Sequence, residues 1–450
     1  MKYVIVGAGP SGLTLAYVLA INNIPITIIE NSNQLGGSWN SQWIDDKYFS
    51  ENSPRVMVHN KNQNDLLNHV GMTDCDFANI YGDVFQTNLK MMHFLINHFS
   101  IQDYFVFIFA SVKYTLVKEK KTVKEWLDES FMSASGKKAM SIISILLCDR
   151  PEKTNVCDLF GMFGFSPSPL KQMREPNQWH GLIQYYIRTL PNVTIVKNTK
   201  VTKLIHRHDS SNIQGVVVHN NYTHVQSTIY ADNVVLCTQS SGLLPILEGS
   251  DNIIRNNWLP YDEMKIWGKQ TYYCGFGFQL HYKNEVRMPE KWCWSCMGDW
   301  TVIVLPVSNW LKRISNDPSI KTVWSCCIVD MDTKSRHLQK TANECTDHEE
   351  VVYECLRQMN EQHPSLPAPD VATTSVGLYH SNGKWISENT GYTQSKYGNI
   401  QMKGNMKNLY ALGCFTETGI SSVATMGKAI DATALFLNEY EPNLQHKVFL

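Results

Sequence analysis

The chain has 450 residues, enough for two domains or one large domain with insertions. Its 40 Lys and Arg offset 41 Asp and Glu, and a net charge of −1 excludes a global field for nucleic acid or an anionic membrane. The longest membrane candidate, Tyr104 to Val117, holds Lys113 and is shorter than the roughly 18 apolar residues a span requires. The 12 cysteines follow no regular framework, so reduced thiols and a cytoplasmic location are expected. Met1–Ala20 has no basic start and carries a glycine motif, which argues against a cleaved signal.

In chain order, an apolar strand, Tyr3 to Val6, runs into Gly7-Ala8-Gly9-Pro10-Ser11-Gly12. A helix from Leu13 to Asn22 follows, then a strand, Ile26 to Ile29, ending at Glu30. The spacing is that of a dinucleotide fingerprint. Gly7 allows the tight turn, Gly9 lets backbone amides approach a diphosphate, and Gly12 lets helix and strand pack closely. The N-terminus of the helix offers partial positive charge to the phosphates, with Pro10 and Ser11 beside them. Glu30, 18 residues beyond Gly12, is placed for the ribose hydroxyls, with Asn31 beside it. A second glycine pair, Gly36-Gly37, followed by Ser38, completes an arrangement that resembles the extended fingerprint of FAD-binding flavoproteins. That resemblance implies FAD, with Gly36, Gly37 and Ser38 also near the diphosphate.

Glu51-Asn52-Ser53-Pro54-Arg55 comes next. In the superfamily of flavin amine oxidases, protoporphyrinogen oxidases and phytoene desaturases, which this chain resembles, the corresponding stretch passes beside the flavin ring. The resemblance makes Pro54 and Arg55 cofactor neighbours. Arg55 is also the candidate catalytic residue, as a partner for a substrate carboxylate or the flavin edge. A surface salt bridge is the alternative.

Residues 76–174 read as helical, with Thr122 to Leu127 opening an amphipathic stretch and Met140 to Leu147 an apolar helix. A helix from Trp179 to Leu190 then precedes strands at Val193–Val196, Val201–Ile205, Gln214–His219 and Val225–Tyr230, and a buried one from Ala231 to Thr238. This order resembles the second FAD-domain portion of the superfamily, which implies adenine contact at the Val201 backbone and cofactor proximity at Thr238.

From 255 to 394 strands dominate, at Thr271–Tyr282, Trp300–Val307 and Lys321–Asp330. Within them Cys293-Trp294-Ser295-Cys296 and Cys326-Cys327 read as buried structural thiols: a second C-x-x-C for a metal is missing, and the aromatic surroundings do not suit a redox dithiol. No metal is expected. Gly275-Phe276-Gly277 does not continue into a second fingerprint, which disfavours a separate NADPH domain. The lysine that amine oxidases use near flavin is not evident, since Lys269 and Lys283 flank this stretch.

At the C-terminal end Asn408–Gly413 is a strand, and Ser421-Ser422 signals a helix running to Leu437. The resemblance places Gly413, Ser422 and Val423 at the flavin. It departs at Cys414, where an acid is usual and Glu417 is the substitute, and at Ala424 and Thr425.

The resulting expectation is an α/β fold. A Rossmann-like FAD-binding domain with a ββα core, built from 1–75, 175–254 and 395–450, is interrupted by a mixed sheet-and-helix substrate domain from 76–174 and 255–394. The implied function is FAD-dependent oxidation of an amine or other lipophilic small molecule, with dioxygen or another acceptor taking the electrons. The alternatives are a redox-neutral flavoenzyme such as a mutase, or a non-catalytic binder on the same scaffold, like the Rab GDP-dissociation inhibitors.

Overall fold

The computed structural model describes the chain except for residues 53–54, 59, 81–94, 118, 146–149, 164–169, 207–210, 272–274, 291–292, 389–397, 419–424, 446–447 and 450. Predominantly apolar runs of the sequence become a five-stranded parallel sheet. Its strands are β1 (Tyr3–Val6), β2 (Ile26–Ile29), β7 (Val193–Val196), β11 (Asn233–Leu236) and β19 (Leu409–Ala411), in the order β19-β11-β1-β2-β7. Val4 pairs with both Thr27 and Val234, so β1 is the centre. Such strands lack polar alternation because helices or a second layer cover both faces.

On one face lie the helices Pro10–Ile21 and Met426–Tyr440, joined by hydrogen bonds as well as packing. Ser11 Oγ donates to the Ala429 carbonyl at 2.9 Å, and Thr433 Oγ1 donates to the Ser11 carbonyl at 3.2 Å. Leu13, Leu15, Leu19, Ile430, Phe436 and Leu437 share this core. The first helix starts three residues before the expected Leu13 because Pro10 is already suited to the opening turn. The opposite face is covered by a three-stranded antiparallel sheet of β8 (Thr199–His206), β9 (Ile213–Asn220) and β10 (Gln226–Tyr230), whose Val216 and Val218 pack with Val4, Val6 and Ile29.

A second five-stranded sheet, ordered β13-β14-β15-β12-β16, is antiparallel. Its strands are β12 (Phe276–Tyr282), β13 (Trp294–Cys296), β14 (Val302–Leu305), β15 (Thr322–Ile328) and β16 (Val371–Thr374). They are shorter than the sequence runs, and Thr271 ends a helix, Tyr261–Thr271, instead of opening a strand. The helix His348–Gln362, capped by Asp347 and not anticipated from the sequence, lays Val351, Cys355 and Met359 on this core beside Phe276 and Trp324. A short hairpin of β17 (Leu378–Ser381) and β18 (Lys384–Ser387) adds Trp385.

The helices Ile101–Leu116, Val123–Glu129, Ala134–Ile145 and Val156–Phe163 form a separate core around Trp126, Met140 and Phe160. Thr122 and Glu125 make a reciprocal capping box, as their spacing implies. The expected Met140–Leu147 helix begins earlier, at Ala134, and its last two positions lie outside the described residues. A hairpin, β3 (Ser41–Ile44) with β4 (Tyr48–Glu51), and an antiparallel pair of strands distant in the chain, β5 (Phe77–Asn79) with β6 (Lys171–Met173), link the regions. Asp45 and Asp46 both have positive φ (51° and 53°), the conformation that a tight hairpin turn selects. Among the described residues no helix is long and apolar enough to cross a membrane.

Candidate dinucleotide site

The glycine positions of the first strand–helix unit are dictated by close backbone approach. Gly7 has φ +97°, and a Cβ there would lie 2.7 Å from the Cys237 carbonyl oxygen. A Cβ on Gly12 would sit 2.0 Å from the Gly7 carbonyl oxygen, so helix and loop touch backbone to backbone. Gly9 precedes the helix and supplies no side-chain cap, which leaves the helix start to another acceptor. Pro10 fills the first turn, while the Ser11 hydroxyl is committed to the neighbouring helix.

Glu30 ties this loop to the end of β2. Its Oε2 accepts the Ala8 N–H at 2.8 Å and its Oε1 accepts the Ser32 N–H at 2.9 Å. Burial raises its carboxyl above the ordinary glutamate value, and these backbone donors oppose the shift. Each oxygen retains lone-pair capacity for a further donor, such as a ribose hydroxyl. The Thr199 N–H donates to the Glu30 carbonyl at 3.0 Å, which brings the start of β8, and Val201 two residues on, to the same sheet edge. Val201 pairs with Val218 immediately before a bulge. Asn31 is held by the Asn221 amide, which donates to its carbonyl at 2.9 Å.

The second glycine pair meets the first loop. The Gly36 N–H donates to the Ala8 carbonyl at 2.8 Å, and a Cβ on Gly37 would lie 2.9 Å from the Gly9 Cα. Both Gly36 and Gly37 have positive φ. Arg55 anchors the next residue: its Nη1 donates to the Ser38 carbonyl at 3.2 Å, and its guanidinium lies 5.5 Å from the Trp39 ring centre. Arg55 Nε and Nη2 lie 2.9 and 2.8 Å from Glu51 Oε2, with both side chains buried. The surface salt bridge considered for Arg55 is thereby overturned, because the β3–β4 hairpin and β12 enclose the pair. Glu51 Oε1 has no hydrogen-bond partner among the described residues. The backbone beneath it is fixed from the second sheet, since Gln279 Nε2 and Ser375 Oγ donate to the Glu51 carbonyl at 2.7 and 2.6 Å. A Cβ on Gly277 would lie 2.0 Å from the Asn52 carbonyl oxygen, so β12 runs directly against this segment. Pro54 lies outside the described residues.

His180 joins this cluster without having been singled out from the sequence. Asn177, just before the helix Gln178–Ile187, exchanges hydrogen bonds with the Ser41 backbone at 2.8 and 2.7 Å. That clamp sets the His180 ring against Gly36, where a Cβ would fall 2.7 Å from the ring. Burial, with Arg55 and Lys197 nearby, lowers His180 to about 4, so the ring is neutral. A histidine followed by Gln184 one helical turn later was the available sequence signal, and it is a weak one.

At the carboxyl end of β11, Thr238 Oγ1 is buried beside the Gly7 turn without a partner among the described residues. Gly413 follows β19 and is buried. The Glu417 N–H donates to the Ile400 carbonyl at 2.9 Å. Cys414 Sγ donates to the Thr425 carbonyl at 3.2 Å, and burial pushes its thiol up to about 11. The C-terminal helix is capped by Thr425, which accepts the Lys428 N–H, so it begins after the expected Ser421-Ser422 signal. Ser422 and Val423 lie outside the described residues. Cys296 and Cys326 are buried thiols, with Cys296 raised to about 12 by burial. No group of metal-ligating side chains occurs among the described residues.

A family model described as an NAD(P)-binding Rossmann-like domain matches residues 5–70. The whole chain superimposes on an oxidoreductase from Methanosarcina mazei with a TM-score of 0.62 and 12% identity, covering 97% of this chain and 100% of that one. It superimposes on putrescine oxidase bound to putrescine with a TM-score of 0.60 and 11% identity, covering 98% and 99%. This is the amine oxidase fold. Cyclohexylamine oxidase from Brevibacterium oxydans shares it, with a TM-score of 0.56, 12% identity and 99% coverage of both chains. No curated protein matches the chain by sequence.

Proposed function

We propose that this chain is an FAD-dependent oxidoreductase of the oxidase or desaturase type, which takes hydride from an amine or another lipophilic small molecule. The observation that carries the reading is the crossing of the two glycine loops, Gly9 against Gly37, beside a helix start without a side-chain cap and above Glu30. The cradle has the shape a dinucleotide requires, and the unpartnered Thr238 hydroxyl at its edge supports it. FAD, when bound, supplies the hydride acceptor. Gly7, Gly9, Pro10, Ser11, Gly12, Gly36, Gly37 and Ser38 would surround the diphosphate. Glu30 and Asn31 would meet the ribose, and Val201 the adenine. Thr238, Pro54, Arg55, Gly413, Glu417, Ser422 and Val423 would line the flavin half.

Arg55 belongs to this machinery as a positioning residue. Its guanidinium holds the Ser38 carbonyl and is paired with Glu51, which supports a positioning role over contact with a substrate carboxylate. The putrescine and cyclohexylamine oxidases with the same fold favour an amine as the substrate. Against a specifically amine-oxidase mechanism, β12 carries no lysine between Phe276 and Tyr282. The apolar and aromatic share of residues 255–394 favours a lipophilic substrate, while β12 itself buries Phe276, Phe278, Leu280 and Tyr282 in the core of the second sheet and turns Gly277 and Gln279 toward Asn52 and Glu51. On this reading, with the division at 1–75, 175–254 and 395–450 against 76–174 and 255–394, the reacting centre would lie near the place where β12 runs against Asn52.

Titration of the apoprotein with FAD tests the cofactor assignment. One FAD per chain and an oxidised-flavin spectrum are expected. Saturable binding of NADPH with no binding of FAD would refute it.

A further inference from the structure

Besides the Thr238 hydroxyl and the Glu51 carboxylate, the described residues present a buried hydrogen-bonding group toward this site that the glycine fingerprint does not account for. His180 is 8% exposed, and its Nε2 is buried without a partner among the described residues. Its other ring nitrogen is engaged: Gln184 Nε2 lies 3.1 Å from Nδ1, and an amide that donates there leaves the ring proton on Nε2. A buried N–H without an acceptor costs about 1–3 kcal/mol, so a donor left in this state points to an acceptor that arrives with a ligand. The direction is set by Gly36. A Cβ at that glycine would lie 2.7 Å from His180 Cδ2 and 3.0 Å from Nε2, so the Nε2 edge of the ring looks onto the glycine pair. A Cβ at position 36 would clash with the ring, so glycine there is what lets the imidazole sit against the backbone. The ring cannot easily turn away, because Trp179 packs against it edge-on at 5.4 Å and Asn177 fixes the helix start to Ser41.

We propose that His180 is a cofactor-binding residue whose Nε2–H donates to a diphosphate oxygen of the dinucleotide lying across Gly36 and Gly37. The inference rests on the FAD reading above. It adds a neutral side-chain donor to a site otherwise built from backbone amides and a helix start. A neutral donor suits this position, since Arg55 already brings a full positive charge that Glu51 balances.

Two variants separate donation from packing. His180→Phe keeps a ring of similar shape and deletes the donor, whereas His180→Gln places an amide N–H near the Nε2 position. The expected results for His180→Phe have opposite signs: FAD dissociation constant raised about ten-fold or more, and apoprotein melting temperature equal to or above wild type. His180→Gln is expected to stay within about three-fold of wild-type affinity. In the wild-type protein, the imidazole 15N spectrum should show the proton on Nε2 in the apo state and a shift of that signal when FAD is added. Equal FAD affinity in wild type and His180→Phe, or an unmoved Nε2 signal, would overturn the proposal while leaving the cofactor assignment intact. A wild-type protein that binds no FAD would overturn both.

Discussion

Replacing Glu30 by alanine tests the electrostatic link between the two ends of the fingerprint. The carboxylate accepts two backbone N–H groups, from Ala8 at 2.8 Å and Ser32 at 2.9 Å, in a partly buried position. A hydrogen bond to a charged acceptor contributes about 1.5–3 kcal/mol, and part of that is offset here by the cost of burying the charge. That cost is visible in the raised carboxyl value. For the apoprotein, Glu30→Ala should therefore lower stability by about 1–3 kcal/mol. For FAD, the variant loses the ribose acceptor as well as the tether on the Ala8 loop. One such bond, at about 1.4 kcal/mol per factor of ten, predicts a dissociation constant higher by roughly ten- to hundred-fold. Flavin fluorescence titration of the apoprotein measures this, with denaturant unfolding as the control. An unchanged dissociation constant in a correctly folded variant would refute the reasoning and reduce Glu30 to a local backbone clamp.

The same carboxylate gives a pH dependence. Its value in the fold lies above the 4.5 of an ordinary glutamate, so as pH falls Glu30 takes up a proton early and FAD release should begin above pH 4.5. Release that starts only below 4.5 would contradict this. Gly12→Ala places a Cβ 2.0 Å from the Gly7 carbonyl oxygen, and loss of FAD binding is expected; a variant with normal flavin content would be inconsistent with the backbone contact. Arg55→Met leaves Glu51 buried and unpaired and should cost about 3–5 kcal/mol in urea unfolding, with most of it recovered in Glu51→Gln/Arg55→Met. Additive losses would show that the two residues are not coupled. Thiol reagents at neutral pH should label exposed Cys75 and spare Cys296, Cys326 and Cys355 in the native protein, which mass mapping checks directly.

The parallel sheet was legible because its strands are predominantly apolar runs and its turns demand glycine. Gly7, Gly12 and Glu30 lie where their spacing placed them, since each answers to a local requirement: a positive φ, a backbone contact, or the end of β2. The β8–β10 meander was also readable from short β-branched runs. What escaped depended on partners distant in sequence. For Arg55 the sequence left open a cofactor or substrate contact and a surface salt bridge, and the buried pairing with Glu51 depends on β12 and the β3–β4 hairpin. His180 gained its place through Asn177 and Ser41, 136 residues apart, a contact no local pattern encodes. The helix His348–Gln362 went unread because half its turns are charged, although Val351, Cys355 and Met359 form one buried stripe. The C-terminal helix start moved because Thr425, instead of the earlier serine pair, accepts the first-turn amide.

Anaerobic stopped-flow mixing of the FAD-loaded protein with separate reductants tests the functional claim most directly. A panel of aliphatic and cyclic amines, polyenes and porphyrinogens is compared with NADPH and NADH. The account predicts bleaching of the flavin by a member of the lipophilic panel and no rapid bleaching by either pyridine nucleotide. Rapid reduction by NADPH or NADH without added substrate would contradict the oxidase or desaturase assignment and point to a monooxygenase or reductase.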